Sequence, residues 1–139
     1  MNISNLNQAF IEIAEKKNQL FHCKKTDKMY ESLNEEIAKL EEDFQYAYGA
    51  YIEEALFNVH DEFCPDNEVM KPKSYMASTY LQGDGNHQFD VPPSEGIAVE
   101  ADDFPGINAR LVLVPGPTRL VLQGQTVPFK ETVWVAREN

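Results

Sequence analysis

The segment HDEFCPDNE, residues 60–68, gathers a histidine, a cysteine and four carboxylates into nine positions. Such side chains ligate metals or act as nucleophiles, so this segment is the first candidate for chemistry. Glu53 and His60 lie seven residues apart, on one face of a helix, and they form a candidate metal pair. The spacings that define a helical metal site are absent, however, and Cys64 has no CxxC partner. The pattern therefore favours a structural role, as an acidic junction between two helices.

The residues after Cys64 explain why a junction fits. Proline is preformed for the first position of a helix, and acidic side chains are favourable in a first helical turn. Pro65 is followed directly by the residues DNE. The sequence therefore predicts that one helix ends near Phe63 and that a further, short helix begins at Pro65.

Two amphipathic helices are predicted before this junction. The first is capped by Asn2 or Ser4, and its apolar residues are spaced by three and four: Ile3, Leu6, Phe10, Ile13 and Leu20. The second is capped by Thr26 or Asp27, and it carries a heptad seam: Tyr30, Leu33, Ile37, Leu40, Phe44, Ala47 and Tyr51. An apolar stripe continues along the second helix as far as Phe63. The pattern predicts an antiparallel helical hairpin with a long second helix.

The two predicted helices differ greatly in length. About 19 residues make the first about 28 Å long, and about 35 residues make the second about 52 Å long. The first helix can cover only half of the second, so the apolar stripe from Tyr46 to Phe63 needs another cover. C-terminal strands or a second copy of the chain could provide it. We therefore expect a homo-oligomer, most simply a dimer.

The negative charge is concentrated in one segment. Residues 27–68 hold 13 acidic residues against two lysines, whereas residues 1–26 have a net charge of +2 and residues 69–139 one of −2. An acidic surface repels a phosphate backbone, so we expect no nucleic-acid partner. A basic protein partner fits this charge, and the alternative is a helix face that is simply solvated. The candidate partner-binding residues are Glu35, Glu36, Glu41 and Glu42.

The C-terminal half has the pattern of β-structure. Residues 71–82 fit either a strand or a short helix, and residues 83–95, rich in glycine and proline, indicate a long loop. From Gly96 onward the apolar runs predict antiparallel strands: Ile97–Glu100, Ala109–Val114, Thr118–Gln123 and Val127–Ala136. Gly124-Gln125 predicts a two-residue hairpin between the last two strands, because glycine supplies the positive φ of such a turn.

The cations of this half form a candidate site for a small anionic ligand. If the last hairpin pairs Gln123 with Thr126, Arg119 lies opposite Lys130. Guanidinium and ammonium groups bind phosphate and carboxylate oxygens. The candidate ligand-binding residues are Arg110, Arg119, Lys130 and His87. The alternative is that these cations pair with carboxylates of the protein itself: Asp102, Asp103 or those of the second helix.

The bulk properties fit one folded domain. A chain of 139 residues with 42% hydrophobic residues can bury a core. We predict an α+β fold over residues 1–139, in which an N-terminal antiparallel helical hairpin precedes a small antiparallel β-meander. The hairpin takes residues 1–64, a short helix and a long loop take residues 65–95, and antiparallel strands take residues 96–139.

The expected cellular compartment follows from sequence patterns that are absent. No apolar run reaches the roughly 20 residues that span a bilayer, and the first residues do not have the pattern of a signal peptide. Cys23 and Cys64 are expected to be free thiols in a reducing compartment. We therefore expect a cytoplasmic protein with no membrane partner.

Two hypotheses for function remain. No nucleotide-binding loop, nucleophile elbow or zinc pattern is present, so we predict no catalytic residue and no cofactor, and an enzyme is the less favoured class. The first hypothesis is a non-catalytic acidic interaction or regulatory protein that binds a protein partner. The second is a binder of a small anionic ligand or a metal, with its site between the loop of residues 83–95 and the C-terminal strands.

Overall fold

The N-terminal half is the helical hairpin that the periodicity predicts. The computed structural model describes residues 1–138, in which α1 spans Ile3–Phe21 and α2 spans Lys28–Phe63. Asn2 and Asp27 are the N-caps, because each side chain accepts a hydrogen bond from a backbone N–H of the first turn. With 19 and 36 residues, the helices have the predicted mismatch in length. Among the described residues, no helix has the length and hydropathy to cross a membrane.

The proximal half of α2 packs against α1 around aromatic rings. Phe10 of α1 lies against Phe44 of α2, with 5.5 Å between ring centroids, and its ring meets the Tyr80 ring edge-on at 6.0 Å. All three side chains are buried. Burying a ring of this size contributes roughly 2–3 kcal/mol, so these contacts stabilise the hairpin and tie it to the C-terminal half.

The distal half of α2 is covered by the C-terminal half of the same chain. Leu56 and Val59 are buried in one hydrophobic core that also contains the sheet. Tyr51 packs against Trp134 of the last strand, with 5.8 Å between ring centroids. The strands therefore supply the cover that the length mismatch requires. Tyr46, which the sequence placed at the start of the stripe to be covered, is instead 94% exposed.

The connection after α2 differs from the prediction at Pro65. Residues 64–71 form a turn and an extended segment, and the short helix is a 3-10 turn, Pro72–Tyr75. A proline does begin a short helix, but it is Pro72. Asn67 holds the segment out of helical geometry, because its side chain and its carbonyl both accept hydrogen bonds from residues outside the segment. A sequence rule for helix starts considers only neighbouring residues, so it does not include these donors.

The predicted long loop contains the turn and the second strand of a small β-hairpin. β1, Leu81–Gln82, pairs antiparallel with β2, Phe89–Asp90. The turn between them is closed by the Gly83 N–H, which donates to the Gln88 carbonyl at 3.0 Å. Residues 71–82 therefore contain both alternatives that the sequence left open, a short helix and then a strand.

The meander is a four-stranded antiparallel sheet in the order β3-β4-β5-β6. Its strands are Ile97–Val99, Ala109–Val114, Arg119–Gly124 and Phe129–Val135. Both faces of β4 and β5 are buried. The 3-10 helix and the distal half of α2 lie on one face. Residues 88–96, which we call the strap, cross the other face.

The register of the last hairpin corrects the predicted two-residue turn at Gly124. Gly124 pairs with Phe129, so the loop has four residues and ends at Pro128. Proline has no N–H to donate to a ladder, so pairing with β5 begins only after it. As a consequence, Arg119 and Lys130 do not lie opposite each other.

Gly96, the last residue of the strap, packs closely against β4, and we predict that Gly96→Ala is strongly destabilising. Its φ is +106°, and a Cβ there would lie 2.6 Å from the Leu111 carbonyl oxygen and 2.9 Å from the Val112 Cβ. Backbone strain and overpacking together should lower the free energy of unfolding by about 2 kcal/mol or more in urea denaturation.

Gly85→Ala is the matched control for this substitution. Gly85 also has a positive φ, +58°, but a Cβ there would meet no atom within 4 Å. The left-handed backbone alone should cost about 1 kcal/mol. Equal losses for the two variants would show that the strap does not press on β4.

Candidate functional site

His60 is buried near the end of α2 and is hydrogen-bonded through both ring nitrogens. Nδ1 lies 3.0 Å from the Asn67 carbonyl oxygen, and Nε2 lies 2.8 Å from the Tyr75 hydroxyl. Because a carbonyl can only accept, Nδ1 carries the proton and Nε2 accepts from the hydroxyl. The same hydroxyl accepts the Met70 N–H at 3.0 Å. This chain of hydrogen bonds fastens the connecting segment to α2.

The predicted metal pair of Glu53 and His60 does not assemble. Neither nitrogen of His60 is available to a metal, since both already have partners. Glu53 is half-buried two turns earlier on α2. Within residues 1–138, no group of three or more His, Cys, Asp and Glu side chains is placed to hold a metal ion. The hydrogen bonds of His60 give this part of the opening motif a structural role.

Cys64 is buried directly after α2 and is a poor nucleophile. Burial and the nearby Asp102 carboxylate raise the pKa of its thiol to about 11. The thiolate is the reactive form of cysteine, so at neutral pH almost none of Cys64 is reactive. Cys64 and Cys23 are both free thiols.

A row of hydrogen-bond donors crosses the sheet on its strap face. Arg110 of β4, Gln123 of β5 and Lys130 of β6 are direct cross-strand neighbours. All three side chains donate hydrogen bonds to the strap. The donor–acceptor distance is 2.8 Å for Arg110, and the two bonds of Gln123 measure 2.9 and 3.2 Å. Their acceptors are the carbonyls of Gly96, Pro92, Glu95 and Val91 and the carboxylate of Asp90.

Arg119 joins the strap to the turn between β4 and β5. It is 2% exposed, and its guanidinium donates to the carbonyls of Pro115 and Pro117 at 3.0 Å and to that of Phe89 at 2.6 Å. Burial lowers the pKa of Arg119, and the Asp90 carboxylate opposes this shift. The side chain therefore acts as a cross-link between two backbone segments.

The hydrogen bonds to the strap occupy the cations of the predicted anionic-ligand site. Arg110, Arg119 and Lys130 do share one face of the sheet, but each donates to backbone or carboxylate oxygens of the strap. The predicted alternative, pairing within the protein, describes them better, although the acceptors are not those expected. His87 is exposed in the turn between β1 and β2. Arg110 also borders an open cleft of about 470 Å³ beside β3.

Two of the four predicted partner-binding acids are engaged by α1. Lys16 pairs with Glu36 at 3.2 Å, and Lys17 pairs with Glu41 at 3.4 Å. The other two, Glu35 and Glu42, are exposed, and in the part of the chain that the structure describes they form no ion pair.

A solvent-facing stripe runs along α2 and combines acidic and aromatic side chains. We call it the outer face, and its members recur every three or four residues: Glu35, Lys39, Glu42, Tyr46, Ala50, Glu54, Phe57 and Asp61. Tyr46 is 94% exposed and Phe57 is 54% exposed. Three helical turns, about 16 Å, separate these two rings. The outer face therefore presents two large apolar groups to water between carboxylates.

Sequence reasoning did not single out Tyr46 and Phe57 as surface residues. A signal for them exists, because Tyr46 follows the seam residue Phe44 by two positions and Phe57 is adjacent to Leu56. Both aromatic side chains therefore lie outside the buried stripe of α2. The roles of Tyr75 and Gln123 had no comparable signal, since their partners lie far away in the chain.

Comparison with known proteins adds no functional assignment. No protein-family model, no curated protein and no solved structure matches the chain. The assignment of function therefore rests on the geometry of the outer face, the strap and the His60 hydrogen bonds.

We predict that Tyr75→Phe lowers the free energy of unfolding by about 1–3 kcal/mol, because it leaves the buried Nε2 of His60 and the part-buried N–H of Met70 without their partner. Tyr51→Phe is the control. Its hydroxyl bonds to the backbone of Arg137 in an exposed setting, where water can replace it. Urea denaturation should show a loss for the control under about 1 kcal/mol, and similar losses would contradict the proposed role of Tyr75.

We predict that native protein exposes one reactive thiol to Ellman's reagent at about pH 8, and that the second reacts only after unfolding. The raised pKa of Cys64 leaves it protonated at this pH, and its burial excludes the reagent. Cys23→Ser should abolish the native reaction and Cys64→Ser should preserve it. Rapid native labelling of the Cys23→Ser variant would show that Cys64 is accessible.

Proposed function

We propose that this protein is a non-catalytic interaction or regulatory protein that binds a basic protein partner through the outer face of α2. The observation that carries the proposal is the exposed pair Tyr46 and Phe57 among exposed carboxylates. Aromatic side chains dominate the binding energy of many interfaces. The surrounding carboxylates favour a cationic partner and speed its approach.

The acidic contacts expected from the sequence are revised by the ion pairs to α1. Glu36 and Glu41 already bind lysines of the same chain, so a partner would compete with those lysines for them. Exposed carboxylates on the outer face need no such exchange. The proposed acidic contacts are Glu35, Glu42, Glu54 and Asp61.

The alternative function, binding of a small anion or a metal beside the strap, has weaker support. An anion that used Arg110, Arg119 and Lys130 would have to displace the strap from them. Displacement would also uncover the apolar strap face of β4 and β5, which is costly in water. The proposal accordingly assigns no catalytic residue and no cofactor.

The proposal includes a homo-oligomer and a cytoplasmic location, but an uncovered apolar stripe on α2 is no longer the reason for the oligomer. The distal half of α2 is covered within one chain, so a homo-oligomer would have to use surface that is now exposed. The free thiols of Cys23 and Cys64 fit a reducing compartment, which supports a cytoplasmic location.

The proposal is tested with a synthetic amphipathic helical peptide built from leucine and lysine, titrated calorimetrically into the full chain. Wild type should bind it, and added salt should weaken the binding. Glu42→Lys with Glu54→Lys should weaken binding at least about tenfold, because two attractive contacts become repulsive. A peptide with serine in place of leucine should bind more weakly at equal charge.

The control variant carries Glu12→Lys with Glu15→Lys. These two acids are exposed on α1, and their reversal changes the net charge by the same amount. Wild-type affinity in the control, after allowance for net charge, locates the binding on the outer face. Equal weakening in both variants, or no binding by wild type, would refute the proposal.

A further inference from the structure

The turn between α1 and α2 exposes a cationic and apolar surface. We call it the hairpin tip, and its members are all exposed: Phe21, Lys24, Lys25, Lys28 and Met29. Phe21 is 61% exposed and Met29 is 59% exposed. Within the described residues the tip lysines form no ion pair, and the local carboxylate, Asp27, caps α2 by accepting the Met29 N–H. This cationic spot lies on a protein of net charge −11.

The hairpin tip and the outer face are complementary. Each surface combines two large exposed apolar side chains with an excess of one charge, positive at the tip, where three lysines surround Asp27, and negative on the face, where Lys39 pairs with Asp43. Contact between two outer faces would bring like charges together, and so would contact between two tips. Contact of a tip with a face buries apolar surface and pairs opposite charges.

The tip cannot reach the two aromatic rings of the outer face on its own helix. Lys28 begins α2, and Tyr46 lies 18 residues further along the same helix, a separation of about 27 Å. Phe57 lies a further 11 residues away, another 16 Å or about three turns. A continuous helix holds the tip apart from these two rings, so a contact between the tip and the rings requires two molecules.

We propose that the hairpin tip of one copy docks on the outer face of α2 of a second copy. Phe21 and Met29 of the tip pack against Tyr46 and Phe57, and the tip lysines pair with the flanking carboxylates. The inference rests on the proposed function, because it identifies the cationic hairpin tip of a second copy as the partner of that face. The contact is heterologous, so it leaves one tip and one outer face unused and allows a chain or a ring to grow.

Sedimentation velocity of the full chain over a range of concentrations tests this assembly. The sedimentation coefficient of wild type should rise with concentration, and less so in high salt. Two variants truncate only exposed side chains and should keep the fold. The tip variant carries Phe21→Ala and Met29→Ala, and the face variant carries Tyr46→Ala and Phe57→Ala. Each alone should associate at least about tenfold more weakly than wild type.

An equimolar mixture of the two variants gives the decisive result. One intact face and one intact tip remain in the mixture, so it should form a 1:1 dimer and nothing larger. Leu81→Ala with Val127→Ala removes two other exposed apolar side chains and should leave self-association at the wild-type level.

Three outcomes would overturn the inference: a monomeric wild type, a tip variant that associates normally, or a variant mixture that stays monomeric. Binding of the leucine-lysine peptide separates this failure from failure of the proposed function. If wild type is monomeric but binds the peptide, only the proposal that a second copy is the partner fails. If wild type neither self-associates nor binds the peptide, the proposal that the outer face is a docking site fails as well.

Discussion

The central strands β4 and β5 are buried on both faces, and this constraint organises the molecule. Strands of this kind need a covering layer on each side. On one side the 3-10 helix and the distal half of α2 provide it, with their own backbone hydrogen bonds satisfied internally. On the other side the strap is irregular, so its carbonyls need donors from elsewhere. The sheet supplies them from the side chains of Arg110, Arg119, Gln123 and Lys130.

This requirement explains why the basic residues of the C-terminal half do not form an open site. A buried carbonyl without a donor is destabilising, and a buried guanidinium without acceptors is more so. Pairing Arg119 with three carbonyls meets most of both needs at once, and its Nε is left without a partner. His60 follows the same logic on the other side of the sheet. The polar side chains with the most suggestive chemistry therefore hold the fold together, and the proposed recognition surface lies on the helical hairpin.

Much of the architecture follows from local pattern. The positions of α1 and α2 depend on contacts within four residues, and sequence reasoning finds them and includes each cap, Asn2 and Asp27, as one of two candidates. The apolar strand β4 is found for the same reason. The two-residue turn at Gly124 was wrong, because the true loop length depends on where pairing with β6 can resume after Pro128.

The candidate sites depend on contacts that no local pattern contains. Lys130 and Asp90 are 40 residues apart in the chain, and Arg119 and Phe89 are 30 apart. By itself, the sequence determined the helices, the β-character of the C-terminal half and the acidic character of α2, since spacing and composition act locally. Only the tertiary structure decided which charged groups are consumed within the fold and which aromatic rings meet water. The reason is physical: a polar group is satisfied by whatever folding brings within about 3 Å of it, at any distance along the chain.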